Sequence, residues 1–160
     1  MYCLRAGGNQ RGFTLVELIM TIVIVGILAA VVAPRFFDVN VFQSRGFADQ
    51  VQASLRYAQK VAVAQRRNVC VTFSLPAPST VTLRTASLAG AGSLCDTDFI
   101  SPTGDPTYVI TAPDGISFTA LPAAFSFNGL GSPSLGQTIF VNGAANPIVV
   151  EVVTGYVHSP

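Results

Sequence analysis

Glu17 stands on the fifth residue after Gly12 in the run Gly12-Phe13-Thr14-Leu15-Val16-Glu17, and it is the only charged side chain between Gly12 and Pro34. The chemistry open to such a carboxylate is electrostatic pairing. An acidic group in a membrane helix costs roughly 2.5–3.5 kcal/mol near the centre and less near an end, so it needs a cationic partner. Upstream, Met1 to Gly12 is polar, rich in glycine and cationic through Arg5 and Arg11. The boundary between that leader and the apolar stretch is where a protease would act.

Other reactive types are scattered. The single histidine, His158, lies two residues from the end of the sequence, which argues against a Ser-His-Asp or Cys-His site; solvation is the expected role. Asp96, Asp98, Asp105 and Asp114 offer the oxygen ligands that calcium takes, but their irregular spacing fits no loop motif and they are read as solubilising a loop. Arg66-Arg67 reads as the solvated end of a helix or an interaction patch. No catalytic residue, metal ligand or cofactor is assigned, and an enzyme is not expected.

The elements that position Glu17 begin with the 22 residues Phe13 to Pro34, where about 20 apolar residues suffice to cross a bilayer. A secretory signal peptide fits poorly, since the apolar run opens with Glu17 and reaches Pro34 without a convincing cleavage site. A plain anchor helix explains the length and leaves Glu17 unexplained. Farther on, Phe47, Val51, Leu55, Ala58 and Ala62 recur every three to four residues, with Asp49, Gln50, Gln52, Arg56, Gln59 and Lys60 on other faces, as in a helix packed on one side. One helix from Phe13 to about Arg67 would reach roughly 80 Å at 1.5 Å per residue. Pro34 and Gly46 are the places expected to bend or melt it.

The stretch Arg11-Gly12-Phe13-Thr14-Leu15-Val16-Glu17-Leu18 resembles the class III prepilin leader of type IV pilins and type II secretion pseudopilins. That resemblance implies that a prepilin peptidase cuts after Gly12, that Phe13 becomes the N-methylated first residue, and that the uncut helix anchors the protein in the bacterial inner membrane as a single pass. It also implies that Glu17 pairs with the amino terminus of a neighbouring subunit during assembly, and it places the family's helix-kink proline at Pro34. The implied organisation is a cleaved leader at 1–12, a transmembrane and filament-core helix at 13–39, an amphipathic continuation at 40–67 and a periplasmic head at 68–160.

After Asn68 the period changes from 3.6 to 2. Val69 to Leu75, Thr80 to Thr85, Thr107 to Ala112, Ile116 to Thr119, Phe125 to Asn128, Thr138 to Asn142 and Ile148 to Val153 are short β-prone runs between Gly, Pro, Asn and Ser punctuation. Ser87 to Thr107 reads as an exposed excursion. Cys3 would leave with the leader, so three cysteines become the pair Cys70 and Cys95. In an oxidising periplasm a disulfide is expected, with two separate buried thiols as the alternative.

Within the family, Leu55-Arg56-Tyr57-Ala58-Gln59-Lys60, Phe127-Asn128-Gly129-Leu130-Gly131 and Ile148-Val149-Val150-Glu151-Val152-Val153 before Gly155 resemble minor pseudopilins of the type II secretion H-subunit and FimT-like kind. The segments Pro34-Arg35-Phe36-Phe37-Asp38 and Arg56 to Gln65 resemble mannose-sensitive haemagglutinin-type minor pilins. The fold so implied is α+β, a long helix packed on an antiparallel β head of two small sheets. The implied partners are prepilin peptidase, other major and minor pilins or pseudopilins, the inner membrane and exported cargo. An adhesive or DNA- or ligand-binding module using pilin export is the alternative. Nucleic acid is disfavoured: the formal charge is +1, losing Arg5 and Arg11 leaves seven basic against eight acidic residues, and no arginine follows Arg84.

Overall fold

The structure is a computed structural model that describes residues 12–36, 39–90 and 94–160, with side chains described outside residues 30–39. Residues 1–11, which hold Cys3 and all but the last residue of the expected leader at 1–12, lie outside the described residues. The protein divides into two units, one ending at Asp38 and one starting at Val39.

The first unit contains α1 (Leu15–Phe36), 22 residues long, with Glu17 in its first turn. Thr14 starts it by accepting the Glu17 N–H on its hydroxyl at 3.2 Å and the Leu18 N–H on its carbonyl at 3.1 Å. Leu15, Val16, Leu18, Ile19, Met20, Ile22 and Val23 are all exposed; because these positions lie all round a 3.6-residue helix, α1 is apolar on every side. Among the described residues, no helix is long and apolar enough to cross a membrane. Pro34 lies inside α1.

The second unit opens with α2 (Val39–Gln65). The single expected helix is therefore described as two, with residues 37 and 38 outside the described set. Helical hydrogen bonding runs unbroken through Gly46, so the local melting expected there does not occur. The expected stripe of Phe47, Val51, Leu55, Ala58 and Ala62 is buried throughout. At its end, Arg66 takes a positive φ of 51° and donates its N–H to Val63 O at 3.3 Å. One left-handed residue thus turns the helix directly into a strand.

That strand, β1 (Arg67–Ser74), pairs antiparallel with β2 (Thr80–Ala89) and, on its other side, with β5 (Phe125–Phe127). β2 carries two further partners along its length, β3 (Thr97–Asp98) and β4 (Tyr108–Thr111). A second sheet runs in the order β6 (Gln137–Ile139), β7 (Ile148–Val150), β8 (Val157–His158). Val69, Val71, Val81, Leu83, Ile110, Phe125 and Phe127 from the first sheet and Ile139, Ile148, Val150 and Val157 from the second share one core with the α2 stripe. The α+β class with two small antiparallel sheets is thereby seen directly.

Four expectations are corrected. Thr138 to Asn142 ends as a strand at Ile139, with Val141 making only an isolated bridge. Ile116 to Thr119 alternates in burial but forms only the isolated Phe118–Val141 bridge, with the Thr119 N–H on Phe140 O and the Asn142 N–H on Ser117 O. Ile148 to Val153 stops at Val150, because Glu151 N–H to Tyr156 O and Gly155 N–H to Glu151 O close a turn. The excursion after Ser87 is shorter than expected, since β2 continues to Ala89 and β3 rejoins the sheet at Thr97.

Candidate functional site

The amino-terminal junction is open and locally ordered. Gly12, Phe13 and Thr14 precede the helix and are exposed, and a Cβ placed on Gly12 would meet nothing within 4 Å. A peptide bond between Gly12 and Phe13 is thus outside helical hydrogen bonding, in the accessible state that proteolysis requires. Thr14 is the N-cap and Glu17 the third helical residue, the Thr-x-x-Glu spacing of a capping box. This placement also sets the carboxylate against the positive end of the helix macrodipole. Reading Glu17 only as a group in search of a distant cation missed this local contact, although the Thr-x-x-Glu spacing was available as its signal. Among the described residues, Glu17 makes no ion pair.

The head motif is a clamp built from α2. Gln59 donates through Nε2 to Gly131 O at 3.0 Å and to Thr154 O at 2.9 Å, and Arg56 donates through Nε to Val157 O at 2.8 Å. In the amide orientation its neighbours require, Gln52 accepts from Arg56 at 2.8 Å and from the Ser159 N–H at 3.2 Å. These three residues repeat at helical spacing: Arg56 holds β8 at Val157, Gln52 the residue that follows β8, and Gln59 the turn that precedes it. Gly155, at φ +68°, is pressed so close that a Cβ would collide with Gly131 O and lie 2.8 Å from Gln59 Nε2. The Phe127-to-Gly131 turn and the segment before Gly155, separate in sequence, are therefore one unit joined by Gln59, and Ser132 Oγ adds a bond to Val153 O at 3.1 Å.

The remaining candidates fall into structural roles. Cys70 and Cys95 form a disulfide, with a Cα separation of 6.0 Å. Asp96 accepts from the Ser87 hydroxyl at 2.6 Å and from the Ser87 N–H at 2.8 Å; those bonds, the hydroxyl's first, hold its carboxyl below the ordinary value of 3.8. Asp98 pairs with Arg84 at 3.6 Å. Thr103 and Ser101 hydroxyls hold Asp105 low in the same way. Among the described residues, no group of three or more His, Cys, Asp or Glu could hold a metal. His158 is more engaged than expected, 3.1 Å from Glu151 Oε1 and stacked on Tyr156 with ring centroids 5.3 Å apart. Arg66 is the helix-terminating residue and Arg67 the first residue of β1.

A ligand-binding head would present aromatic or basic surface. Here Phe47, Phe99, Phe118, Phe125 and Phe127 are buried and Phe140 and Tyr156 are exposed, while Arg56 and Arg84 are bound to backbone carbonyls of the head itself.

Comparison with known proteins bears on the junction. Residues 7–33 match the model of the prokaryotic N-terminal methylation motif. The type IV narrow pilus major component PilA5 of Thermus thermophilus is 39% identical over 61 residues, 38% of this chain and 53% of that protein, so the match spans about half the length of that curated relative. The crystal structure of the type IV minor pilin FimU of Pseudomonas aeruginosa PAO1 aligns over 72% of this chain and 90% of its own with a TM-score of 0.48 and 16% identity. The fold assignment rests on the elements described above.

Proposed function

We propose, from the premise of a type IV pilin-like protein with an N-terminal methylation motif, that this is a minor pilin or pseudopilin, a structural subunit that prepilin peptidase processes and that assembles through α1. The observation that carries the reading is the junction itself. An exposed, non-helical Gly12–Phe13 bond stands immediately before an apolar helix whose first turn holds Glu17. Nothing in this role requires a reaction at the head.

The proposed sequence of events follows from charge and solvation. Cutting after Gly12 removes Arg5 and Arg11 and exposes an α-amino group on Phe13, protonated near neutral pH with a reference pKa of about 7.7–8.0; methylation keeps it basic. The proposed single pass through the inner membrane, with the head in the periplasm, rests on the sequence run Phe13 to Pro34, 22 residues with Glu17 as the one charge, where about 20 apolar residues suffice; the described side chains of α1 end short of that run at residue 29. In a filament the same run would be surrounded by the apolar helices of other pilins. A carboxylate buried there without a partner is expensive, whereas one paired with the amino terminus of a neighbouring subunit is compensated. Glu17 therefore sets the register in which a subunit enters. Pro34, which has no N–H to give to the preceding turn, is proposed to bend α1 on the way into the filament.

The test is intact mass and N-terminal sequencing of protein taken from membranes of a host that has prepilin peptidase. A product beginning at N-methylated Phe13 supports the reading. A product that keeps Met1, or is cut near Ala33, overturns it.

A further inference from the structure

Two Asn-Gly pairs occur in the sequence, Asn128-Gly129 and Asn142-Gly143, and the fold treats them differently. In such a pair the backbone nitrogen of the glycine can reach the side-chain amide carbon of the asparagine, because glycine has no Cβ to hinder the approach and moves freely in φ and ψ. At Asn128 both freedoms are removed. Its Oδ1 accepts the N–H groups of Leu130 at 2.9 Å and Ser132 at 3.1 Å. Its own N–H donates to Ser132 O at 3.0 Å and its carbonyl accepts the Gly131 N–H at 2.9 Å. Gly129 lies so close to the residue that follows α2 that a Cβ would come within 3.0 Å of the Arg66 backbone.

Asn142 is placed otherwise. Its backbone N–H is held by Ser117 O at 2.9 Å, and Ala144 N–H to Val141 O at 3.1 Å closes the turn around it. Both Asn142 and Gly143 are exposed. Among the described residues, neither the Asn142 side-chain amide nor the Gly143 N–H has a hydrogen-bond partner. The nucleophile and the carbon it attacks are thus both without a hydrogen bond, in a turn fixed at its two ends that holds Gly143 at φ 81°.

We propose that Asn142 is a site of spontaneous deamidation in the folded protein and that Asn128 is protected from it. The Gly143 nitrogen attacks Asn142 Cγ; the new C–N bond forms as that nitrogen loses its proton, and the Cγ–Nδ2 bond of Asn142 breaks with ammonia as the leaving group. Water then opens the five-membered imide at one carbonyl or the other, leaving aspartate or isoaspartate at position 142. One water enters and one ammonia departs, with no oxidant and no metal.

The change falls where it would be felt. Residues 39–160 carry six basic and six acidic side chains, so one deamidation takes the unit formed by α2 and the head from formal neutrality to a net negative charge. Isoaspartate also adds a backbone carbon to a turn that meets α2 at Ser44, where a Cβ on Gly143 would lie 3.1 Å from Ser44 Oγ. The same turn follows directly on the Phe118–Val141 bridge.

The experiment incubates the full-length protein at mildly alkaline pH and follows both peptides by mass spectrometry, with isoaspartate detected separately. Releasing Asn128 requires breaking two hydrogen bonds, so conversion at Asn142 should be faster by about tenfold or more. In the urea-unfolded protein the two sites should convert at similar rates. Comparable conversion at both sites in the folded protein, faster conversion at Asn128, or conversion of Asn142 only after unfolding would overturn the proposal.

Discussion

The Thr14 hydroxyl accepts the backbone N–H of Glu17 at 3.2 Å, so the residue proposed to pair with a neighbouring subunit also belongs to the cap of its own helix. The two roles separate by substitution. Glu17→Gln keeps a side chain suited to the capping position and removes the charge. Thr14→Ala keeps the charge and weakens the helix start by about 0.5–2 kcal/mol. If Glu17 acts by charge, Glu17→Gln abolishes incorporation into filaments while membrane insertion persists, and Thr14→Ala is milder. Membrane fractionation with immunoblotting of sheared filaments reads both; normal incorporation of Glu17→Gln would end the ion-pair argument.

Because nothing lies within 4 Å of a Cβ built on Gly12, a substitution there leaves the fold undisturbed. Loss of processing would then report on the peptidase alone. Gly12→Ala should still be cut, and Gly12→Val should accumulate as full-length precursor in membranes. A correctly cut Gly12→Val protein would contradict the leader assignment.

Gly155 tests the clamp. Alanine there meets a positive φ of 68° and collides with Gly131 O; strain at such a position costs about 1–3 kcal/mol before the collision is counted. Gly104, at φ +93° with open space around it, isolates the backbone part, so Gly104→Ala should be the milder change. Gln59→Ala removes both amide bonds and should cost about 1–3 kcal/mol. Thermal unfolding of the detergent-solubilised full-length protein ranks the three. A harmless Gly155→Ala would mean that the two turns are not held together as described.

What the sequence made legible was local. The junction is a run of adjacent residues, and the buried stripe of α2 follows from a 3.6-residue period, so both could be read directly. Strand pairing is not local: β8 is two residues long, and Ile116 to Thr119 has the alternation of a strand but a partner at Val141 that permits only a bridge. The clamp was hidden for a related reason. Gln52, Arg56 and Gln59 lie on the polar side of an amphipathic helix, where long side chains are normally solvated, and their acceptors lie 72, 95 and 101 residues away for the Gln59 and Arg56 bonds.

The disulfide joins β1 to the segment just before β3 across a sequence separation of 25. Closing a loop of that size stabilises by roughly 3–4 kcal/mol in the loop-entropy account. The Cys70→Ala, Cys95→Ala double variant should therefore unfold earlier by a comparable amount, and added reductant should lower the unfolding temperature of the natural protein but not of the variant. Equal sensitivity of both to reductant would show that the bridge is not formed in the protein as made.

Asp96 links that segment to pH. Its carboxylate is held below the ordinary value of 3.8 by the Ser87 hydroxyl first and the Ser87 N–H second. A carboxyl whose folded value is depressed contributes stability that is present above the unfolded value and fades as pH falls through the folded one. Docking of the Cys95–Asp98 segment should accordingly hold at neutral pH and loosen only in acid below the ordinary carboxylate range. Ser87→Ala removes the largest contributor, so the Asp96 titration followed by carboxyl NMR should move upward toward 3.8 and loosening should begin at higher pH. A midpoint unchanged by Ser87→Ala would mean that the hydroxyl bond is not what anchors Asp96 in solution.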